Sequence, residues 1–257
     1  MKSAVTILKK IGIGLAVAIF WLTVWILIAR IVDKELLLPY PQSVLRRLCE
    51  LCLTLAFWET VLLSIGRILL GTVLAIIAGT GLAILTCKIP VVHRFFYPMI
   101  TVIRATPVAS FVILAIIWMG PKKLPALICF LMALPIIWAA VCDGIRALDP
   151  HLKQVCRAYS LPFSKRLFSF YIPAILPYFL SACKTSLGLA WKAGVAAEVI
   201  ARTPVSIGIK LSDSQIAFDT TALFAWTLVI ILLNLLIEKI SSWIINHVST
   251  RRNYAES

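Results

Sequence analysis

Long apolar runs constrain this chain more than any other feature of its sequence. The run from Ile68 to Cys87 contains no charged residue, and about 20 such residues let a helix cross the hydrocarbon core of a bilayer. Five other apolar runs are interpreted in the same way, although the third is shorter and the fifth is interrupted by Lys184 and Lys192. The six predicted spans are 11–32, 68–87, 105–120, 124–142, 173–200 and 220–237, the last one extendable to residue 245. We therefore predict an all-α polytopic membrane protein with six transmembrane helices.

Composition excludes the other broad classes of protein. Hydrophobic residues make up 61% of the 257 residues and charged residues only 14%, whereas a soluble domain carries about 25% charged residues. A soluble enzyme, a disordered chain and a disulfide-stapled secreted module are all excluded. We expect one transmembrane domain over 1–257, with 1–60 as an N-terminal span and outer segment and 61–245 as the core.

The balance of charge predicts how the chain is oriented. Lys and Arg number 25 against 11 Asp and Glu, a net charge of +14. In membrane proteins, basic residues are enriched in the cytoplasmic loops. More of them fall in the predicted loops on the side of the N-terminus than on the opposite side, which predicts that both termini are cytoplasmic. Because no soluble domain can present a basic face, we expect no nucleic acid partner.

No arrangement of residues in the sequence predicts catalysis. The segment from Gly66 to Thr72 has the glycine spacing of half a P-loop but lacks its lysine, and no complete Gly-x-x-x-x-Gly-Lys motif occurs. The histidines, His93, His151 and His247, are scattered over loops and a terminus. We therefore predict that the chain is not an enzyme, that it holds no metal or cofactor, and that any ATP is bound by a separate subunit.

Small residues recur along the second predicted span. Gly71, Ala75, Gly79 and Ala83 follow one another at every fourth position. Such a stripe lies on one helix face and lets a neighbouring helix approach closely. It predicts a helix–helix contact rather than a chemical site.

Charged residues within the spans are costly and are therefore candidate functional residues. Arg67 and Arg104 lie near span ends, where snorkelling or a structural ion pair is favoured. On the fifth span, Trp191 and Glu198 fall on one helical face and Lys192 on an adjoining one. These three residues either line a translocation path or form internal structural pairs, for which Arg202 and Lys192 are candidate partners of Glu198.

The longest internal polar segment predicts a short amphipathic helix. Asp149 can cap a helix that has Pro150 at its first position and stops at Pro162. The apolar face of this helix consists of Leu152, Val155, Cys156 and Tyr159. Such a face is buried against the membrane surface, against a partner, or against the chain's own helices.

At this segment the chain resembles the permeases of binding-protein-dependent ABC importers. Residues 149–173 are similar to their EAA loop, with Gln154-Val155-Cys156 in place of Glu-Ala-Ala, Ser160 in place of glycine, and Pro173 in the closing motif. Other segments are similar to the nitrate/sulfonate/taurine branch of the family. They are 38–44, 64–71, 104–107, 118–120 and 190–200.

The resemblance implies a fold, a function and partners. The fold is that of a type I ABC importer permease (MetI-like), in a bacterial cytoplasmic membrane. The function is ATP-driven import of a small solute such as a sulfonate, nitrate or taurine. The implied partners are a second copy of the chain, two ATPase subunits and an extracytoplasmic solute-binding protein. The residues implied in ATPase coupling are Leu152, Val155, Cys156, Arg157, Tyr159, Ser160 and Pro173.

Two other classes of function serve as alternatives. The membrane component of an energy-coupling-factor vitamin or metal importer also docks ATPases through cytoplasmic helices, but its Ala-Arg-Gly-like motifs are absent from this sequence. An intramembrane enzyme would need a cluster of His, Asp or Glu near a span, and the sequence contains none.

Overall fold

The computed structural model describes residues 2–149, 151, 159 and 162–253, and the regular elements within those ranges are all helical. A short helix Phe163–Arg166 and a π-helical turn Leu167–Tyr171 lead into the fifth predicted span. The longer helices are α1 Lys2–Val32, α2 Pro41–Cys52, α3 Leu55–Lys88, α4 Pro90–Ala105, α5 Val108–Arg146, α6 Ile172–Ile200, α7 Ile207–Ile216 and α8 Thr220–Asn253. The all-α fold predicted from the sequence is confirmed.

Helices of bilayer length are one fewer than the six predicted. Within the described residues, five are long and apolar enough to cross a membrane: Gly12–Val32, Leu55–Lys88, Val108–Arg146, Ser164–Ile200 and Thr220–Ile245. The count differs because the predicted spans 105–120 and 124–142 both fall largely within α5. Only Pro121, Lys122 and Lys123 lie between those two runs, too few residues to form a separate loop.

The chain nevertheless reverses inside α5, at Gly120. Its backbone leaves the helix there, with φ 69° and ψ 169°. Arg104 Nη2 donates to the Pro135 carbonyl oxygen at 2.8 Å, and Arg146 Nη2 lies 3.3 Å from His93 Nε2. Because the members of each pair lie at matching distances along the chain on either side of Gly120, α4 and the start of α5 run antiparallel to the rest of α5.

The predicted third span is therefore corrected at its beginning. The antiparallel segment starts with α4 at Pro90 and continues across a break at Thr106, whose backbone is extended. The predicted span began at residue 105, directly after the charged Arg104. In the structure, the guanidinium of Arg104 has a backbone carbonyl as its partner, which lowers the cost of keeping this charge within the segment.

The chain forms two compact units, and the first comprises residues 1–59 and 210–230. Within it, Thr220 Oγ1 donates to the Glu35 carbonyl oxygen at 2.9 Å. The rings of Phe57 and Trp226 lie 5.3 Å apart. The beginning of α8 thereby contacts the segment that follows α1 and the first turn of α3.

The second unit comprises residues 60–209 and 231–257 and contains the small-residue stripe. Ala75 and Ala83 are fully buried. A Cβ added to Gly71 would contact the Ala126 carbonyl oxygen, and one added to Gly79 would lie 3.1 Å from Ile137. The predicted close approach of a neighbouring helix is confirmed, and α5 is that neighbour.

Candidate translocation and coupling sites

Glu198 is a fully buried carboxylate near the C-terminal end of α6. Its Oε2 accepts hydrogen bonds from Ser64 Oγ at 2.9 Å and from the Gly208 backbone N–H at 3.2 Å. Its Oε1 lies 3.6 Å from Arg67 Nη1. A buried charge is stable only when donors and an opposite charge replace the lost water, and these three groups supply both.

The same residues hold the segment between α6 and α7. Arg67 donates from Nη2 to the Pro204 carbonyl and from Nη1 to the Val205 carbonyl, both at 3.1 Å. The Ile207 N–H donates to Ser64 Oγ at 2.9 Å, so this hydroxyl joins Glu198 to the start of α7. The segment is thus attached to α3 through both Ser64 and Arg67.

This segment contains strained backbone. Arg202 has φ 48° and Val205 has φ 46°, in the left-handed region that side chains with a Cβ rarely adopt. Such conformations cost about 1–3 kcal/mol each and persist where surrounding contacts enforce them. Gly208 admits no side chain at all, because an added Cβ would contact Glu198.

The ion-pair partner of Glu198 is therefore Arg67, rather than the Arg202 or Lys192 considered from the sequence. Helix α6 ends at Ile200, so Arg202 does not occupy the helical position that an i,i+4 pair requires. Its side chain and that of Lys192 are exposed. The sequence did single out Ser64 and Arg67, because both lie in the 64–71 segment that is similar to the permease family. Nothing in the sequence indicated that this segment contacts Glu198.

Trp191 and Lys192 point in different directions although they are neighbours. Trp191 is 1% exposed and belongs to the core, whereas Lys192 is exposed. The exposed side of α6 around Lys192 also carries Ser181, Lys184 and Thr185. Lys192 has no hydrogen-bond or ion-pair partner within the part of the chain that the structure describes. Since a lysine facing lipid in a bilayer-length helix is costly, this side of α6 suits contact with water or protein.

The predicted coupling helix lies mainly outside the described residues. This applies to Leu152, Val155, Cys156, Arg157 and Ser160. At its beginning, Asp149 Oδ1 accepts a hydrogen bond from the His151 N–H at 2.8 Å, the bond that the predicted cap requires.

Two of the predicted coupling residues are described. Tyr159 is 77% exposed and is thus available to a partner. Pro173 lies in the first turn of α6, where its missing N–H removes no helical hydrogen bond.

Comparison with known families identifies what these elements belong to. Residues 71–253 match the family model described as "Binding-protein-dependent transport system inner membrane component". The chain belongs to this family. The match includes the 149–173 loop and α6, with its exposed side of Ser181, Lys184, Thr185 and Lys192 (the Lys192 face). It agrees with the resemblance found in the sequence.

Curated relatives extend the match over most of this inner membrane component. The taurine transport system permease protein of Escherichia coli (strain K12) is 24% identical and covers 90% of this chain and 86% of that protein. The bicarbonate transport system permease protein of Synechocystis sp. (strain PCC 6803) is 29% identical over 62% of this chain and 56% of that protein. A putative aliphatic sulfonates transport permease protein of Bacillus subtilis (strain 168) is 25% identical over 82% of this chain and 77% of that protein.

A solved structure shares the fold. The crystal structure of an amino acid ABC transporter with histidines superposes with a TM-score of 0.61 at 16% identity, over 76% of this chain and 94% of that chain. The predicted permease fold, the multi-pass membrane character and the role as an ABC importer permease are thus confirmed. The energy-coupling-factor alternative gains no support from these relatives.

Proposed function

We propose that two copies of this inner membrane component form the translocation path of an ATP-driven importer. Two ATPase subunits dock on the cytoplasmic side, and an extracytoplasmic binding protein delivers the solute. The family match over 71–253 supports the transport role. The lack of a nucleotide-binding motif in the sequence supports ATP hydrolysis by a separate subunit, so the chain itself needs no cofactor.

The exposed side of α6 is the proposed lining of the path. Its lysine and hydroxyl side chains are poorly suited to lipid, and pairing two copies along this side would enclose them in a wetted interface. Of the three path residues predicted from the sequence, exposure supports this role for Lys192. The burial of Trp191 and Glu198 supports an internal packing role for those two residues.

The solute is proposed to be a small molecule that carries an anionic group, such as a sulfonate. The relatives transport taurine, bicarbonate and aliphatic sulfonates, as their names state. An exposed ammonium on the path side of α6 attracts such a solute without binding it so tightly that release is prevented. Most of the selectivity is expected to reside in the binding protein.

The experiment that tests this proposal is uptake by the complex reconstituted in lipid vesicles. We expect Lys192→Gln to lower the uptake of a sulfonate at least several-fold while leaving assembly with the ATPase intact. The matched control is Lys239→Gln, which removes an exposed lysine from α8. Equal uptake by the Lys192→Gln complex and the wild type would show that Lys192 does not contribute to the translocation path. Absence of ATP-dependent uptake by the assembled wild-type complex, with any solute that its binding protein holds, would overturn the proposed function itself.

The proposed topology has six crossings and both termini in the cytoplasm. The reversal at Gly120 supports this count, because α4 with the start of α5 and the remainder of α5 then form two antiparallel crossings. An even number of crossings returns the C-terminus to the side of the N-terminus.

A further inference from the structure

A basic pocket lies within the second unit, where α3 ends and α4 begins. Its volume is about 270 Å³, and it is lined by Thr86, Cys87, Pro90, His93, Arg94 and Arg146. Arg94 and Arg146 carry charges that proteins do not remove. Neither of them has an acidic ion-pair partner within the described part of the chain. The pocket therefore presents two uncompensated positive charges.

The wall of this pocket is held in place by an aromatic stack. The His93 ring lies 5.6 Å from that of Tyr97 and 5.8 Å from that of Trp138. Trp138 Nε1 donates to Thr86 Oγ1 at 3.0 Å, and the Arg146 guanidinium donates to His93 Nε2 at 3.3 Å. The Arg146 cation is thus supported by packed, hydrogen-bonded side chains, as an anion site requires if a donor is to be preorganised, and Arg94 adds a second, exposed cation to the lining.

The position of the pocket indicates the kind of anion. Lys88 and Arg146 are the last residues of two helices of bilayer length, which places the pocket at the level of the lipid head groups. Beside it, Leu85, Ile89 and Phe95 expose apolar side chains. A ligand with a negative head group and hydrocarbon tails can contact the basic pocket and the apolar side chains beside it at the same time. Basic pockets between spans are known to bind the head groups of anionic lipids.

We propose that this pocket binds the phosphate of an anionic phospholipid, with Arg94 and Arg146 as its donors and with acyl chains on the adjoining apolar residues. The site is separate from the Lys192 face, and lipid binding by the permease alone does not depend on the proposed transport function.

The test is native mass spectrometry of the full-length permease in neutral detergent with added phosphatidylglycerol or phosphatidylcholine. We expect phosphatidylglycerol to be retained preferentially, and the Arg94→Gln/Arg146→Gln double variant to bind it about tenfold or more weakly, since each lost bond is charge-assisted. The double variant with lysine at both positions should keep most of the binding. The control is Arg46→Gln, which removes an equally charged side chain that is 85% exposed on α2. Each variant must elute as a single species before its binding is compared.

Three outcomes would overturn the proposal. Equal retention of phosphatidylcholine and phosphatidylglycerol would show that the two charges do not select the lipid. Displacement of the lipid by glycerol 3-phosphate at the same concentration would assign the pocket to a soluble phosphate. Unchanged lipid binding by the double glutamine variant would show that the two arginines do not hold the head group.

Discussion

Replacement of Glu198 by glutamine tests whether this residue anchors the segment between α6 and α7. Glutamine keeps the shape of the side chain and can still accept hydrogen bonds from Ser64 Oγ and the Gly208 N–H. It removes the negative charge that lies 3.6 Å from Arg67 Nη1. The substitution therefore isolates the electrostatic part of the anchor from its packing.

The expected loss of stability follows from these contacts. A hydrogen bond to a charged group contributes about 1.5–3 kcal/mol, against about 0.5–1.5 kcal/mol for a neutral one, so two weakened bonds cost roughly 2 kcal/mol. Removing one partner of a buried ion pair costs about 3–5 kcal/mol. In the Glu198→Gln variant, Arg67 would still be 19% exposed to solvent and would still donate hydrogen bonds to the carbonyl oxygens of Pro204 and Val205. For this reason we expect a combined loss of about 2–4 kcal/mol, below the sum of the two effects.

Thermal unfolding in detergent, followed by size-exclusion fluorescence, measures this loss. At about 2–4 °C per kcal/mol, Tm should fall by roughly 4–16 °C. The control Glu59→Gln changes an exposed carboxylate on the same helix as Ser64 and should stay within about 0.5 kcal/mol of the wild type. In a double-mutant cycle, Glu198→Gln and Arg67→Gln should show a coupling energy of about 1–3 kcal/mol.

Two results would refute this reasoning. An unchanged Tm for Glu198→Gln would mean that the carboxylate does not stabilise the segment. A stable, fully assembled Glu198→Gln complex that no longer transports would instead support the path-lining role that the sequence left open.

Three further predictions concern other parts of the chain. Gly120→Ala should lower the free energy of unfolding by about 1–3 kcal/mol, because a backbone at φ 69°, ψ 169° disfavours a residue with a Cβ. The control Gly66→Ala, at a helical glycine that is equally free of neighbours, should be neutral or slightly stabilising. Equal melting temperatures for the two variants would contradict the reversal at Gly120. Val155→Asp or Tyr159→Asp should release the ATPase or uncouple its activity from uptake, because an unpaired charge in an apolar groove costs several kcal/mol. Normal co-purification of the ATPase and normal uptake with both variants would show that the 149–173 loop is not the coupling element. A cysteine introduced after Val248 should be labelled only from the cytoplasmic side, and labelling from outside intact cells would disprove the topology.

Some features could be predicted from the sequence because they depend on neighbours along the chain. Apolar runs of bilayer length predicted the membrane-spanning class. The stripe from Gly71 to Ala83 predicted a close helix contact, since a repeat of four residues places small side chains on one helix face. The cap at Asp149 was predictable for the same reason, because its acceptor and donor are two residues apart.

Other features were decided only by tertiary structure. The partner of Glu198 is supplied by α3, and Ser64 lies 134 residues before it in the chain. The helical pattern showed that Trp191 and Lys192 occupy adjoining faces, but packing determined that the first is buried and the second exposed. Local periodicity specifies which side chains share a face. Which face is covered, and by which distant residue, depends on how the helices pack.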